Sequence, residues 1–383
     1  MMRVIPSAPA ACAALALLVA AGGCAAGAAK AEGEDSGGQG EDSGGNDGGA
    51  APLPLDPGPL DAALDAAWAD RPAGLPGLGL VVIAPDGARL YEGTRGALTF
   101  QDRLPVASAS KLVSALVQLR LVTAGALQLE QTTAAHLGWT GPEGAVTIDQ
   151  LHAFTSGLSH DPTCLVVSGI TLDDCAEAIR RAGLLAAPGE TFTYGGGHQQ
   201  VAGAIVEEVT GQPWNDAFRA LLAAPLGLTD PGLRYVTLPQ RQEGESNPLV
   251  AGGLLSTGDE YLRVLQLILQ RGEVEGAPLI APALLDRLHH NPYPDAEIIT
   301  SPLQDYGLDY GYGFGAWRLC PPDAADCAVV SAPGAFGATP WFDRDRGYAA
   351  LLLMDTGDPG GARWAVPVEE GLRALIEAQL DAR

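Results

Sequence analysis

Lysine is almost missing from this sequence. Only Lys30 and Lys111 occur in 383 residues, against 20 arginines. Positive charge as a whole is scarce, with 46 acidic residues against 22 basic ones and a formal net charge of −24. Six of those acids fall in residues 1–54, so the excess belongs mainly to the remainder of the chain. A surface of this sign repels nucleic acid and anionic membranes, and neither is expected as a partner. Metal and nucleotide signatures are missing too. There is no CxxC, no HExxH, no P-loop and no GxGxxG in a strand–turn–helix context, and the six histidines show no metal-ligand spacing. No serine has glycine at both −2 and +2, which removes the GxSxG nucleophile elbow. Neither a metal nor an organic cofactor is expected.

What is present begins with an export signal. Arg3 precedes the apolar run ACAALALLVAA at residues 11–21, which is too short for a comfortable membrane span. The stretch AAGGC, ending at Cys24, resembles a bacterial lipoprotein signal, with Ala21 standing where a larger aliphatic residue is usual. The sequence therefore predicts a signal over residues 1–23, lipidation at Cys24 and a cell-envelope location, with plain secretion as the alternative. A membrane would be met only through that anchor. Residues 24–56, in which EDSGG occurs twice, have the Gly/Ser/acid composition of a flexible tether. Residues 57–383 form the folded domain.

Cys164, Cys175, Cys320 and Cys327 remain in that domain, an even number in an exported chain. Three connectivities are open to them. The local pairs Cys164–Cys175 and Cys320–Cys327 are favoured, the second across the turn-like PPDAAD.

The pattern predicts a helix at 61–69 and a hairpin at 78–93 around Pro85-Asp86-Gly87. An apolar helix follows at 108–124, with further helices at 198–210, 213–223 and 259–271. Strand character returns at 312–320, 327–337 and 348–355, and a last helix covers about 367–381. Strands at both ends and helices between predict an α/β (α+β) fold: one antiparallel sheet built from the two chain ends, flanked by helices, with a helical lobe inserted. The crevice between the lobes is the natural site.

Lys111 stands three residues after Ser108. At the start of a helix both lie on one face, a turn apart. A serine hydroxyl needs a base to become a nucleophile. Arginine cannot serve, because its guanidinium keeps its proton, whereas a lysine desolvated on an apolar helix can lose it. The bland alternative is a chance Ser-x-x-Lys.

Four further stretches give the pair its context. ASASKL (107–112), FTSGL (154–158), PGETFTYGGG (188–197), AGGLLSTGDE (251–260) and PGAFGATPWFD (333–343) together resemble the serine β-lactamase-like hydrolases. That superfamily includes class C β-lactamases, D-alanyl-D-alanine carboxypeptidases and related esterases. The resemblance covers about residues 57–380 and implies the β-lactamase/transpeptidase-like fold. It also implies roles: Ser108 as acylated nucleophile, Lys111 as proton acceptor, Tyr194 as partner base and shuttle. A cationic amine beside Tyr194 would lower the phenol pKa towards that role. Gly334 matches the glycine of the strand edging the site, so the N–H groups of Ser108 and Ala335 would form the oxyanion hole.

Two positions depart from the pattern. Gly196 replaces the asparagine that often contacts a substrate amide. Ala332, followed by Pro333, replaces the lysine, histidine or tryptophan at the start of the strand motif. Losing the amide and carboxylate contacts predicts an ester- or small-amide-cleaving enzyme. β-Lactams or peptidoglycan stems are the alternative substrates, and a non-catalytic surface binding domain is a second alternative. Glycines 195–197 would widen the site and let the backbone approach a ligand. His198 is a candidate replacement for the lost polar contact, against an ordinary helix-start or surface histidine; His152 and His160 read as loop residues near the mouth. The chain is expected to act as a monomer.

Overall fold

The computed structural model describes residues 53–238 and 246–383. The leader, most of the tether and Cys24 lie outside them.

Seven antiparallel strands form the central sheet. In chain order they are β1 (Gly77–Ile83), β2 (Arg89–Gly96), β3 (Gly311–Tyr312), β4 (Trp317–Arg318), β5 (Val329–Ser331), β6 (Thr339–Asp343) and β7 (Tyr348–Met354). Their order across the sheet is β3-β4-β5-β6-β7-β1-β2. The two ends of the chain meet where β1 pairs with β7, in the register Leu80 opposite Leu352. The expected hairpin at 78–93 is β1 and β2. The expected strand at 312–320 is two short strands around a turn, and 327–337 contributes strand only at Val329–Ser331. β6, read above only as a site motif, is a full strand; its Trp341 and Phe342 are buried core residues.

Both faces of the sheet are covered, and the alternation of side chains divides the apolar residues between them. Leu78, Leu80 and Val82 of β1 join Ala350 and Leu352 of β7 beneath the two terminal helices. Val81 and Ile83 join Leu351 and Leu353 on the opposite face, in the large core shared with the helical lobe.

The terminal helices are α1 (Pro57–Ala69) and a long one, α6, at Gly361–Asp381. Asp56 caps α1, its carboxylate accepting the Gly58 N–H at 3.0 Å. Ordered structure reaches back beyond residue 57: Leu55 is buried and its N–H donates to the Leu90 carbonyl at 2.9 Å. The folded domain thus includes Leu55 and Asp56, which the expected boundary at 57 left out. α6 starts six residues earlier than expected. Pro367 sits inside it rather than at its head, because Gly361, Ala362, Ala365 and Val366 bury an apolar face ahead of the proline.

The inserted lobe carries α2 (Ser110–Thr123), α3 (Leu172–Ala182), α4 (Gly197–Thr210) and α5 (Gly258–Leu269). α3 and α5 open on capping boxes from Thr171 and Thr257. Both favoured cysteine pairs are bridged, with Cα separations of 5.4 Å for Cys164–Cys175 and 6.0 Å for Cys320–Cys327. The first ties the loop after FTSGL to α3.

Closing an 11-residue separation removes unfolded-state entropy. The double variant Cys164→Ala/Cys175→Ala should lose up to about 3 kcal/mol of stability, measured by urea unfolding.

Candidate active site

Ser108 is set on a turn that the local sequence could not hold by itself. Residues Ala107–Ala109 form a single 3-10 turn leading into α2. Ala107 has φ of 46°, a left-handed conformation that costs a non-glycine residue about 1 kcal/mol or more. Neighbours fix it. The Ser110 hydroxyl donates to the Ala107 carbonyl at 2.6 Å and accepts the Leu254 N–H at 3.0 Å. The Tyr261 hydroxyl donates to the Ala109 carbonyl at 2.8 Å. Ser110 and Tyr261 are buried supports, while Ser108 keeps part of its surface open.

One turn on, the Lys111 ammonium nitrogen Nζ donates to Ser108 Oγ at 2.9 Å and to the Ala251 carbonyl at 2.9 Å. Its side chain is buried, and no carboxylate pairs with it among the described residues. Burial lowers its pKa to about 7, opposed by the more distant negative charge of Asp161. The amine is thus ready to lose its proton near neutrality.

Tyr194 completes the group. Its hydroxyl faces the side chains of Ser108 and Trp317, both of which act to lower its pKa, and its ring lies 4.8 Å from Lys111 Nζ. The ring stacks on Trp317 at 5.1 Å and meets the edge of Phe154 at 5.4 Å. The expected fall in its pKa is not what the structure gives. Burial pushes the phenol up to about 12. The physical reason is that burial outweighs the neighbouring Ser108 and Trp317 side chains, which pull the other way. Lys111 is the better base of the pair, and Tyr194 stays protonated at rest.

Gly334 has a steric task. A Cβ there would lie 2.1 Å from the Val106 carbonyl oxygen, so only glycine lets the β5–β6 turn rest on the backbone leading to Ser108. Ala335 follows, anchored through its carbonyl to the Ala362 N–H at 3.1 Å.

Other expectations fail. Glycines 195–197 do not open the site to a ligand. Added Cβ atoms would lie 2.5 Å from the His160 carbonyl oxygen at Gly195 and 2.1 Å from the Ser159 carbonyl oxygen at Gly197. The glycines admit the loop that follows FTSGL, and Gly197 N–H donates to the His160 carbonyl at 2.7 Å. Gly196 is buried against Leu165, whose Cδ1 would lie 2.9 Å from its Cβ. His198 is not a substrate contact. It is fully buried, with Nδ1 2.7 Å from Ser156 Oγ and Nε2 2.8 Å from the Thr193 carbonyl oxygen. Both nitrogens are used, and burial lowers its pKa to about 4. It cross-links FTSGL to the strand before Tyr194. His152 is likewise buried rather than at a mouth, stacked on Phe314 at 4.3 Å.

The sequence reading missed Trp317, the Ala251 carbonyl and Asp161. A backbone carbonyl leaves no side-chain signal, although Ala251 opens the AGGLLSTGDE stretch. Trp317 was absorbed into an apolar strand, and Asp161 lay unremarked beside His160. Among the described residues no group of three or more His, Cys, Asp or Glu side chains could hold a metal ion.

The kcat/KM for ester hydrolysis should rise with pH along a limb whose apparent pKa is about 7, the Lys111 value. Lys111→Arg should abolish that limb and reduce turnover at least a hundredfold, since a guanidinium keeps its proton. Stopped assays from pH 5 to 9 check both.

Comparison with known proteins shows the family of the chain. The chain is 34% identical to Esterase EstB of Burkholderia gladioli, in an alignment that covers 85% of this chain and 97% of that one. It is 33% identical over 160 residues to Penicillin-binding protein 4 of Amycolatopsis lactamdurans, spanning only 40% of that protein's length. Among solved structures, a putative beta-lactamase from Bacteroides dorei superposes with a TM-score of 0.72 at 24% identity, covering 85% of this chain and 99% of that one. EstCE1, a hydrolase with promiscuous acyltransferase activity, gives 0.64 at 19%, covering 82% and 98%. The Beta-lactamase family model matches residues 60–367, and the chain belongs to that family of serine hydrolases.

Proposed function

We propose that this protein is an exported serine esterase that works through an acyl-Ser108 intermediate. The observation that carries the reading is the contact of Ser108 Oγ with a buried, easily discharged Lys111 amine at 2.9 Å, with the Tyr194 ring 4.8 Å from that amine. The neutral amine takes the hydroxyl proton as Oγ forms a bond to the ester carbonyl carbon. The carbonyl π electrons move onto oxygen, where the Ser108 and Ala335 N–H groups form the oxyanion hole of this mechanism. Collapse breaks the bond to the alkoxy group, which leaves with the proton from the Lys111 ammonium, relayed by the Tyr194 hydroxyl. Water then attacks the acyl group by the same route, and Ser108 recovers its proton. An ester needs neither the asparagine replaced by Gly196 nor the cationic side chain replaced by Ala332. Similarity to an esterase over nearly the whole of both chains supports the same substrate class.

Export to the cell envelope rests on the leader and Cys24, which lie outside the described residues, and two disulfides fit an oxidising compartment. Every catalytic side chain comes from one copy, as a working monomer requires. The non-catalytic alternative loses ground because Ser108 and Lys111 are hydrogen-bonded and the Tyr194 ring lies beside the same amine.

One observation favours carboxylate-bearing substrates such as β-lactams or peptidoglycan stems as a second reading. Arg363 is exposed and has no carboxylate partner among the described residues. It follows Ala362, which is bonded to Ala335, and its guanidinium carbon lies 5.9 Å from the ring of Tyr306. A guanidinium there can grip a carboxylate in bidentate fashion.

A fluorophosphonate at neutral pH should label the leader-free domain once, at Ser108 by peptide mapping. Ser108→Ala should lose labelling and ester turnover while keeping its melting temperature; retained turnover would sink the assignment. Arg363→Gln should leave neutral-ester kcat/KM unchanged. If the second reading holds, it raises KM for a carboxylate-bearing β-lactam about tenfold or more.

A further inference from the structure

Apolar side chains meet at Gly196, beside the residue whose carbonyl holds the Lys111 amine. A Cβ at Gly196 would lie 2.9 Å from Leu165 Cδ1, 3.6 Å from Ala251 Cβ and 3.7 Å from Leu249 Cδ1. Ala251 is the residue whose carbonyl holds the Lys111 amine. Leu165 thus stands where a side chain at 196 would otherwise project, next to the catalytic base. Leu165 is 7% exposed and Leu249 only partly buried, so a strip of this apolar wall stays accessible.

Leu165 is not a casual occupant, because its loop is fixed from several directions. The neighbouring Cys164 is bridged to Cys175 on α3. Asn247 Nδ2 donates to the carbonyls of Cys164 and Val167, at 2.9 Å each, and Asn247 Oδ1 accepts from Gln200 of α4 at 2.8 Å. The contact of Gly197 N–H with the His160 carbonyl holds the other end. Such pinning keeps the leucine in place when a substrate arrives, as a specificity wall requires.

We propose that Leu165, with Leu249 and Ala251, is the specificity-determining wall of this site. It selects esters bearing an apolar substituent there over substrates that need an amide contact. The inference rests on the esterase reading above and deepens it. A leucine-lined surface gains from each apolar carbon brought against it and offers an amide no partner, so an amide group would be buried unsatisfied. An asparagine at 196 would meet the leucine tip, since even its Cβ would lie 2.9 Å from Leu165 Cδ1.

The test measures kcat/KM on two ester series, p-nitrophenyl esters from acetate to octanoate and acetates of alcohols from methyl to octyl. Wild type, Leu165→Ala and Leu165→Met are compared, after each has been shown to melt cooperatively and to label at Ser108. The wild type should favour longer chains in at least one series. Leu165→Ala should reduce the longest-to-shortest ratio in that series about tenfold or more, and Leu165→Met should keep it. The double variant Leu165→Ala/Gly196→Asn should gain β-lactam hydrolysis, read with nitrocefin, relative to Gly196→Asn alone. A chain-length profile within twofold of wild type for folded, labelled Leu165→Ala in both series would overturn the inference. Absence of labelling and of all ester turnover in the wild type would instead overturn the esterase reading beneath it.

Discussion

Removal of the Lys111 amine from water is the constraint on which the site depends. In water this group would hold its proton and the serine beside it would be an ordinary alcohol. Burial reverses that, and burial is a collective property. It needs the buried residues of α2, the Ala251 carbonyl and the Tyr194 ring. The same water-poor surroundings raise the Tyr194 phenol to about 12. Desolvation thus separates the roles of the two groups by disfavouring charge on both. The amine is neutralised by losing a proton and becomes a base; the phenol is neutralised by keeping one and becomes a donor and relay.

Rigid support is the second requirement. The left-handed Ala107 is held by side chains from distant parts of the chain, including the Tyr261 hydroxyl. Gly334 lets the β5–β6 turn lie on Val106, and glycines 195–197 let the loop at 159–162 lie on the strand–helix junction after Tyr194. His198 acts in the same spirit: buried and neutral, it joins Ser156 to Thr193 with both ring nitrogens. Three of the motifs are therefore welded by close backbone approach and buried hydrogen bonds, which leave little room for the nucleophile to drift.

Much of the fold was legible because periodicity reports on burial. The pairing of the two chain ends followed from strand-like runs at 78–93 and 348–355, which supply the central strands β1 and β7 and the edge strand β2. The start of α6 was misjudged because Pro367 usually marks a helix head, whereas here buried small residues ahead of it outweigh the lost hydrogen bond. β6 was read for its motif and not for its alternation. The glycine run after Tyr194 was read as open space. A glycine says that something comes close, and the sequence does not say whether that is a ligand or the chain's own backbone.

The sequence by itself determined the chemistry available: one lysine in the folded domain, a serine one helical turn away, and motifs in an order that a family shares. Those are local facts, set by spacing along a helix and by residue type. Tertiary structure decided what the groups do. Whether the lysine is neutral, whether the tyrosine is charged, and which side chain fills the place vacated at Gly196 all depend on atoms distant in sequence. Desolvation and steric contact act through space, so only the folded chain fixes their values.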